Sequence, residues 1–98
     1  MIYEVALFQT QSGISDAEAL RLLELLTPIV SQFPGFVSRR ISRNEQGLWL
    51  DFLEWETMEQ AKSASATILK IPAAAEAFQI IDISTLQMFH FQAAATNS

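Results

Sequence analysis

Asp51 and Trp55 stand four residues apart in Leu48–Trp55, a run of mostly aromatic and branched residues, so period-2 alternation puts Trp49, Asp51, Leu53 and Trp55 on one strand face. Two indoles beside one carboxylate make an aromatic wall with a group that can orient a phenol or take its proton. The same residues more often make a packed sheet–helix core, with both tryptophans buried and Asp51 meeting water or an arginine. His90 is the only imidazole and is set among Leu86 and Met88 on the last predicted strand. Beside a carboxylate, an imidazole can work as a base near neutral pH; otherwise it donates to a backbone carbonyl. Asp51 and His90 are therefore the candidate catalytic residues, and Trp49 and Trp55 the candidate substrate-binding residues.

Glu4 interrupts an apolar face of the first predicted strand, where a carboxylate must be paired, protonated or facing a cavity. Arg39, Arg40 and Arg43 form the only basic cluster, and pairing of Glu4 with one of them is expected. They could also hold an acidic substrate or form a solvated edge. A single His without Cys makes no zinc or iron site, so no metal is expected. Gly13, Gly35 and Gly47 are too far apart for a phosphate loop, and no nucleophile elbow is present.

Of the 98 residues, 50% are hydrophobic and only 17% charged, against about 25% charged in an ordinary domain. A single small domain buries only about two-thirds of its unfolded surface, so an apolar face is expected to be kept for a partner, most simply a second copy of the chain. The net charge of −5 argues against nucleic acid and anionic membranes as partners. No apolar run approaches the ~20 residues that span a bilayer, and the Met-Ile-Tyr-Glu-Val start lacks a basic leader, so a cytoplasmic location is expected.

The elements that position these residues follow in order. Ile2–Gln9 is predicted as a strand. Ser15 with Glu18 is a capping-box pattern opening a long helix whose apolar stripe runs from Ala19 to Phe33, kinked at Pro28 and ended by Pro34-Gly35. Phe36–Arg43, with Val37, Arg39 and Ile41 alternating against Phe36, Ser38 and Arg40, is an edge strand in a hairpin with Leu48–Trp55. Thr57 with Gln60 opens a second helix, about Met58–Leu69. Pro72 begins a short third helix reaching Phe78, and Ile83–Gln92 is the last strand. Residues 1–92 then form one domain and 93–98 a loose tail. This β-α-β-β-α-(α)-β order is an α+β, ferredoxin-like split β-α-β fold: a four-stranded antiparallel sheet with helices on one face. The bare face would meet a second sheet across a dimer.

The segments Phe33-Pro34-Gly35-Phe36-Val37-Ser38, Glu54-Trp55-Glu56-Thr57 and Glu59-Gln60-Ala61 resemble those of the dimeric α/β-barrel proteins, which include the antibiotic biosynthesis monooxygenases. The resemblance covers roughly Ile2 to Gln92. It implies a pocket between sheet and helices, and oxidation of a phenol- or quinone-type substrate that reacts with oxygen as its own anion, with no metal, flavin or haem. It also implies that Trp55 holds the place of a strand Trp and Asp51 that of an Asn four residues before it. The helix positions that carry a Tyr and an Arg in the family correspond to Ala61 and about Ala75. The haem-degrading branch needs a Trp and a His on helices, and the predicted helices contain neither. Two function classes are thus expected: a cofactor-independent oxygenase acting on a small apolar aromatic, or a non-catalytic dimeric module that binds a small ligand or simply associates.

Overall fold

A computed structural model describes all of residues 1–98. Four strands, β1 (Ile2–Phe8), β2 (Phe36–Arg43), β3 (Trp49–Trp55) and β4 (Gln87–Gln92), form one antiparallel sheet in the order β2-β3-β1-β4. Four helices, α1 (Asp16–Glu24), α2 (Thr27–Val30), α3 (Met58–Ile68) and α4 (Ala75–Gln79), cover one face. This is the α+β, ferredoxin-like architecture that the element order implies. β1 is central, and the arginine-bearing β2 is an edge, where charge discourages stray pairing.

Where boundaries differ from expectation, local chemistry explains them. The long first helix is broken rather than kinked. Pro28 has no N–H for the carbonyl of Glu24, and Leu25 and Leu26 close tighter bonds to Leu22 and Leu23 (3.2 and 3.1 Å) before α2 begins. Both capping boxes are one-sided. Ser15 and Thr57 accept the N–H of Glu18 and Gln60, but the Glu18 carboxylate turns to Arg21 and the Gln60 amide lies on Gly35. Gly35 has φ +85°, and a Cβ there would collide with that amide.

The third helix divides into a 3₁₀ turn at Pro72–Ala74 and then α4. Residues 83–85 make another 3₁₀ turn, capped by Asp82, so β4 starts at Gln87 and not at Ile83. A bulge between Phe36 and Ser38 puts Phe36 on the same side as Arg39, its ring edge-on to Trp55, where simple alternation would have separated them.

The covered face holds two main clusters. Phe8, Leu22, Leu23, Trp49 and Ile80 pack at one end of the sheet, and Ile2, Val30, Leu53, Trp55, Ala61 and Ala64 at the other. On the opposite face no helix lies over Tyr3 and Phe52 (rings 5.3 Å apart) or over stacked Phe89 and Phe91, which are 42% and 51% exposed. No helix is long and apolar enough to cross a membrane.

Candidate active site

Strand register lines up the polar groups of the covered face. Arg39, Leu53, Glu4 and His90 stand side by side on β2, β3, β1 and β4, and the next row is Ile41, Asp51, Ala6 and Met88. With strands spaced about 4.8 Å apart, Arg39 and Glu4 are roughly 10 Å apart with Leu53 between them. Two polar groups therefore flank an apolar floor.

On one side, Arg39 grips Asp51 with both prongs. Nε donates to Oδ1 at 2.9 Å and Nη2 to Oδ2 at 2.6 Å, the fork geometry that gives an arginine–carboxylate pair its strength. Nη1 donates to the Leu23 carbonyl (2.8 Å) and the Thr27 hydroxyl (2.9 Å), both at the helix break that Pro28 creates. The pair is buried, with side chains 3% and 13% exposed.

On the other side, buried Glu4 is held through one oxygen. His90 Nε2 lies 3.0 Å from Oε1, and the Ser65 hydroxyl donates to the same oxygen at 3.2 Å. Oε2 has no hydrogen-bond partner in the protein. The Ser65 proton can serve either Glu4 or the Ala61 carbonyl (3.1 Å), one at a time. The carboxylate is the middle member of this trio, so it is no Ser-His-acid triad, in which imidazole must touch the hydroxyl.

Between the two core clusters lies a cavity of about 350 Å³, within the size range of small-molecule sites. Of its 19 lining residues 15 are hydrophobic, and the other four are Glu4, Arg39, Asp51 and Ser65. Leu69, Ile83 and Met88 line it yet are 74%, 67% and 46% exposed, which places its mouth between the end of α3, the 83–85 turn and β4. Ala64 on α3 leaves room in the wall, whereas Ala61, Ala74 and Ala77 are fully buried where helices pack closely.

Asp51 and Trp55 both line this cavity. Trp55 is 1% exposed, and its indole N–H is buried with no partner, a donor left unsatisfied. Trp49, expected on the same wall, packs against Phe8 and Leu22 in the first cluster and does not line the cavity. His90 sits behind Glu4 and is not among the lining residues.

Glu4 does not pair with an arginine. Register sets His90 opposite it and leaves Arg39 one strand too far, while Arg40 and Arg43 reach Glu54 (3.6 Å) and Asp16 (3.1 Å). None of the three arginines is free to hold an acidic substrate in the cavity. Ser65 had no sequence signal, since its role appears only once α3 is laid across β1. No three His, Cys, Asp or Glu side chains come together where a metal ion could be held.

No family model matches the sequence, and no curated protein matches it. Solved structures do match. SnoaB, a cofactor-independent oxygenase from Streptomyces nogalater, is 18% identical with a TM-score of 0.78, over 97% of this chain and 94% of that one. An antibiotic biosynthesis monooxygenase is 14% identical with a TM-score of 0.74, over 97% and 100%. At3g17210 of Arabidopsis thaliana is 11% identical with a TM-score of 0.74, over the whole of both chains. At such identities what is shared is the fold, and the fold is that of the antibiotic biosynthesis monooxygenase-like proteins.

Proposed function

We propose that the protein is a cofactor-independent oxygenase acting on a small apolar aromatic of phenol or quinone type, and that it works as a homodimer. The observation that carries this reading is the cavity itself: an apolar chamber of about 350 Å³ whose only polar side chains are two carboxylates, a hydroxyl and one paired arginine. Apolar walls hold a ring, and a carboxylate can remove a proton and leave an electron-rich anion. The likeness in fold to SnoaB, a cofactor-independent oxygenase, supports the same direction.

For an activated ring CH2 the chemistry balances without a further reductant. A proton passes to the protein from the C–H or from the O–H of the enol tautomer, and the resulting anion, the same in either case, transfers an electron to O2. The radical pair closes a C–O bond, and the protonated peroxide loses water to leave a carbonyl. One oxygen atom enters the product and the other leaves in water, so CH2 and O2 become C=O and H2O. Trp55 walls the ring, and the Arg39–Asp51 pair fixes one end of the site.

A second reading, ligand binding without catalysis, is favoured by Ala61 and Ala75, which bring no hydroxyl or guanidinium where the family resemblance implies them. Oxygen consumption separates the two. Anthrones offered under air with no added cofactor are expected to draw oxygen above their background rate and yield anthraquinones that carry one atom of that oxygen. No uptake above background would overturn the oxygenase reading.

The dimer is supported by the uncovered face, where Tyr3, Val5, Phe52, Phe89 and Phe91 lie together and only 17 of the 98 residues of the isolated chain are buried. Light scattering at micromolar concentration is expected to give twice the mass of one chain.

A further inference from the structure

We infer that Glu4, and not Asp51, is the proton acceptor of the cavity, and that the ligand it selects is a neutral aromatic carrying a hydroxyl. The inference rests on the reading of this cavity as a substrate site and names its base and its ligand class.

The two cavity carboxylates differ in what they have left to give. Both oxygens of Asp51 already accept charged N–H groups from Arg39 at 2.9 and 2.6 Å. Protonating Asp51 would break that fork and strand a buried guanidinium, at large cost. Glu4 holds its two polar contacts on Oε1 alone, from His90 and Ser65. Its second oxygen has lone pairs and no donor, in a residue that lines the cavity and is 7% exposed. That oxygen is not sealed off by the protein, so it is open to a donor that a ligand brings.

Charge sets the class of that ligand. Arg39 is cancelled by Asp51, so Glu4 leaves the chamber with one net negative charge, or none if His90 carries a proton. In neither state is it positive. A carboxylate ligand would be an uncompensated buried anion, whereas a neutral hydroxyl offers the proton that Oε2 lacks. In the transfer the ligand's O–H bond breaks, its electron pair stays on the ligand oxygen, and a new O–H bond forms on Glu4. His90 is a positioning residue, fixing the carboxylate from behind through Oε1.

The test uses three probes of one shape on the intact protein: 2-naphthol, 2-methoxynaphthalene and 2-naphthoate. Wild type is expected to bind 2-naphthol at least about tenfold more tightly than either of the others, since one charge-assisted hydrogen bond of about 1.5 kcal/mol separates them. Bound naphthol should show the red-shifted absorption of a hydroxyl that donates to a carboxylate. Glu4→Gln should lose that shift and bind naphthol no better than the ether, and His90→Gln should weaken the shift without removing it.

Persistence of that shift in Glu4→Gln would overturn the inference, as would its absence in wild type, equal affinity for the ether, tighter binding of the naphthoate, or no naphthol binding. Should Glu4→Gln fail to fold, the three-probe comparison on wild type still decides. Naphthol binding needs no oxygen. A protein whose preference for naphthol depends on Glu4 yet consumes no oxygen with anthrones refutes the oxygenase reading alone. Oxygen uptake at the wild-type rate in Glu4→Gln refutes this inference alone.

Discussion

Asp51 and Glu4 are two carboxylates on neighbouring strands of the same covered face, yet one is saturated and the other half-engaged. Asp51 closes a fork with Arg39, which also ties β2 to the broken end of α1. Glu4 meets only neutral-capable partners on one oxygen. The contrast teaches that a buried carboxylate is not by itself a site. What distinguishes a structural acid from a working one is whether its lone pairs are already spent.

The contrast is sharpest in stability. Arg39→Ala leaves Asp51 buried without its cation and removes the bonds to Leu23 and Thr27, so urea unfolding should show a loss of about 3–5 kcal/mol. A loss below about 1 kcal/mol would mean that the pair is no anchor. Glu4→Gln should do the opposite, changing stability by only about 1 kcal/mol because the amide can keep contacts to His90 and Ser65. Oxygen uptake in that variant should fall by roughly 100-fold or more, the usual share of a general base.

The uncovered face offers a third break. Phe52→Asp puts a charge among Tyr3, Phe89 and Phe91, and scattering should then report a single chain. Retention of the doubled mass would place the dimer contact elsewhere.

The smallest effect is expected far from the cavity. On α1 the hydrogen bond from Arg21 holds the Glu18 carboxyl below its ordinary range, opposed in part by desolvation and aided, to a smaller extent, by Arg21's charge. The folded value is the lower one, so this contribution is present above the usual carboxylate range and is lost as pH falls through the depressed value. Arg21→Ala should therefore be slightly less stable than wild type at neutral pH, and the gap should close in acid and in high salt, since the pair is exposed.

Much of this arrangement was readable from one chain of letters. Alternation in Leu48–Trp55 put Asp51 and Trp55 on one face, because a strand's period of two leaves no other choice, and both line the cavity. Gly47 between two strand patterns marked the hairpin, and its φ of +82° is the conformation that turn needs. The misreadings share a cause. Trp49 has the same parity as Trp55, but period says nothing of position along a strand, and only the packing of Phe8 and Leu22 shows that it lies beyond the chamber. Glu4 was legible as a carboxylate that needs a partner, but the choice of His90 over an arginine depends on strand order and register. Ser65 reaches Glu4 across 61 positions of sequence, a contact that no local pattern encodes.

The structure of the protein with a hydroxylated anthrone bound tests the central claim most directly. The account places the ring in the chamber against Trp55 with its hydroxyl within hydrogen-bond distance of Glu4 Oε2, and the Arg39–Asp51 fork unbroken. A ligand seated on the uncovered sheet face, or one whose hydroxyl is bound by Asp51 while Glu4 stays untouched, would contradict it.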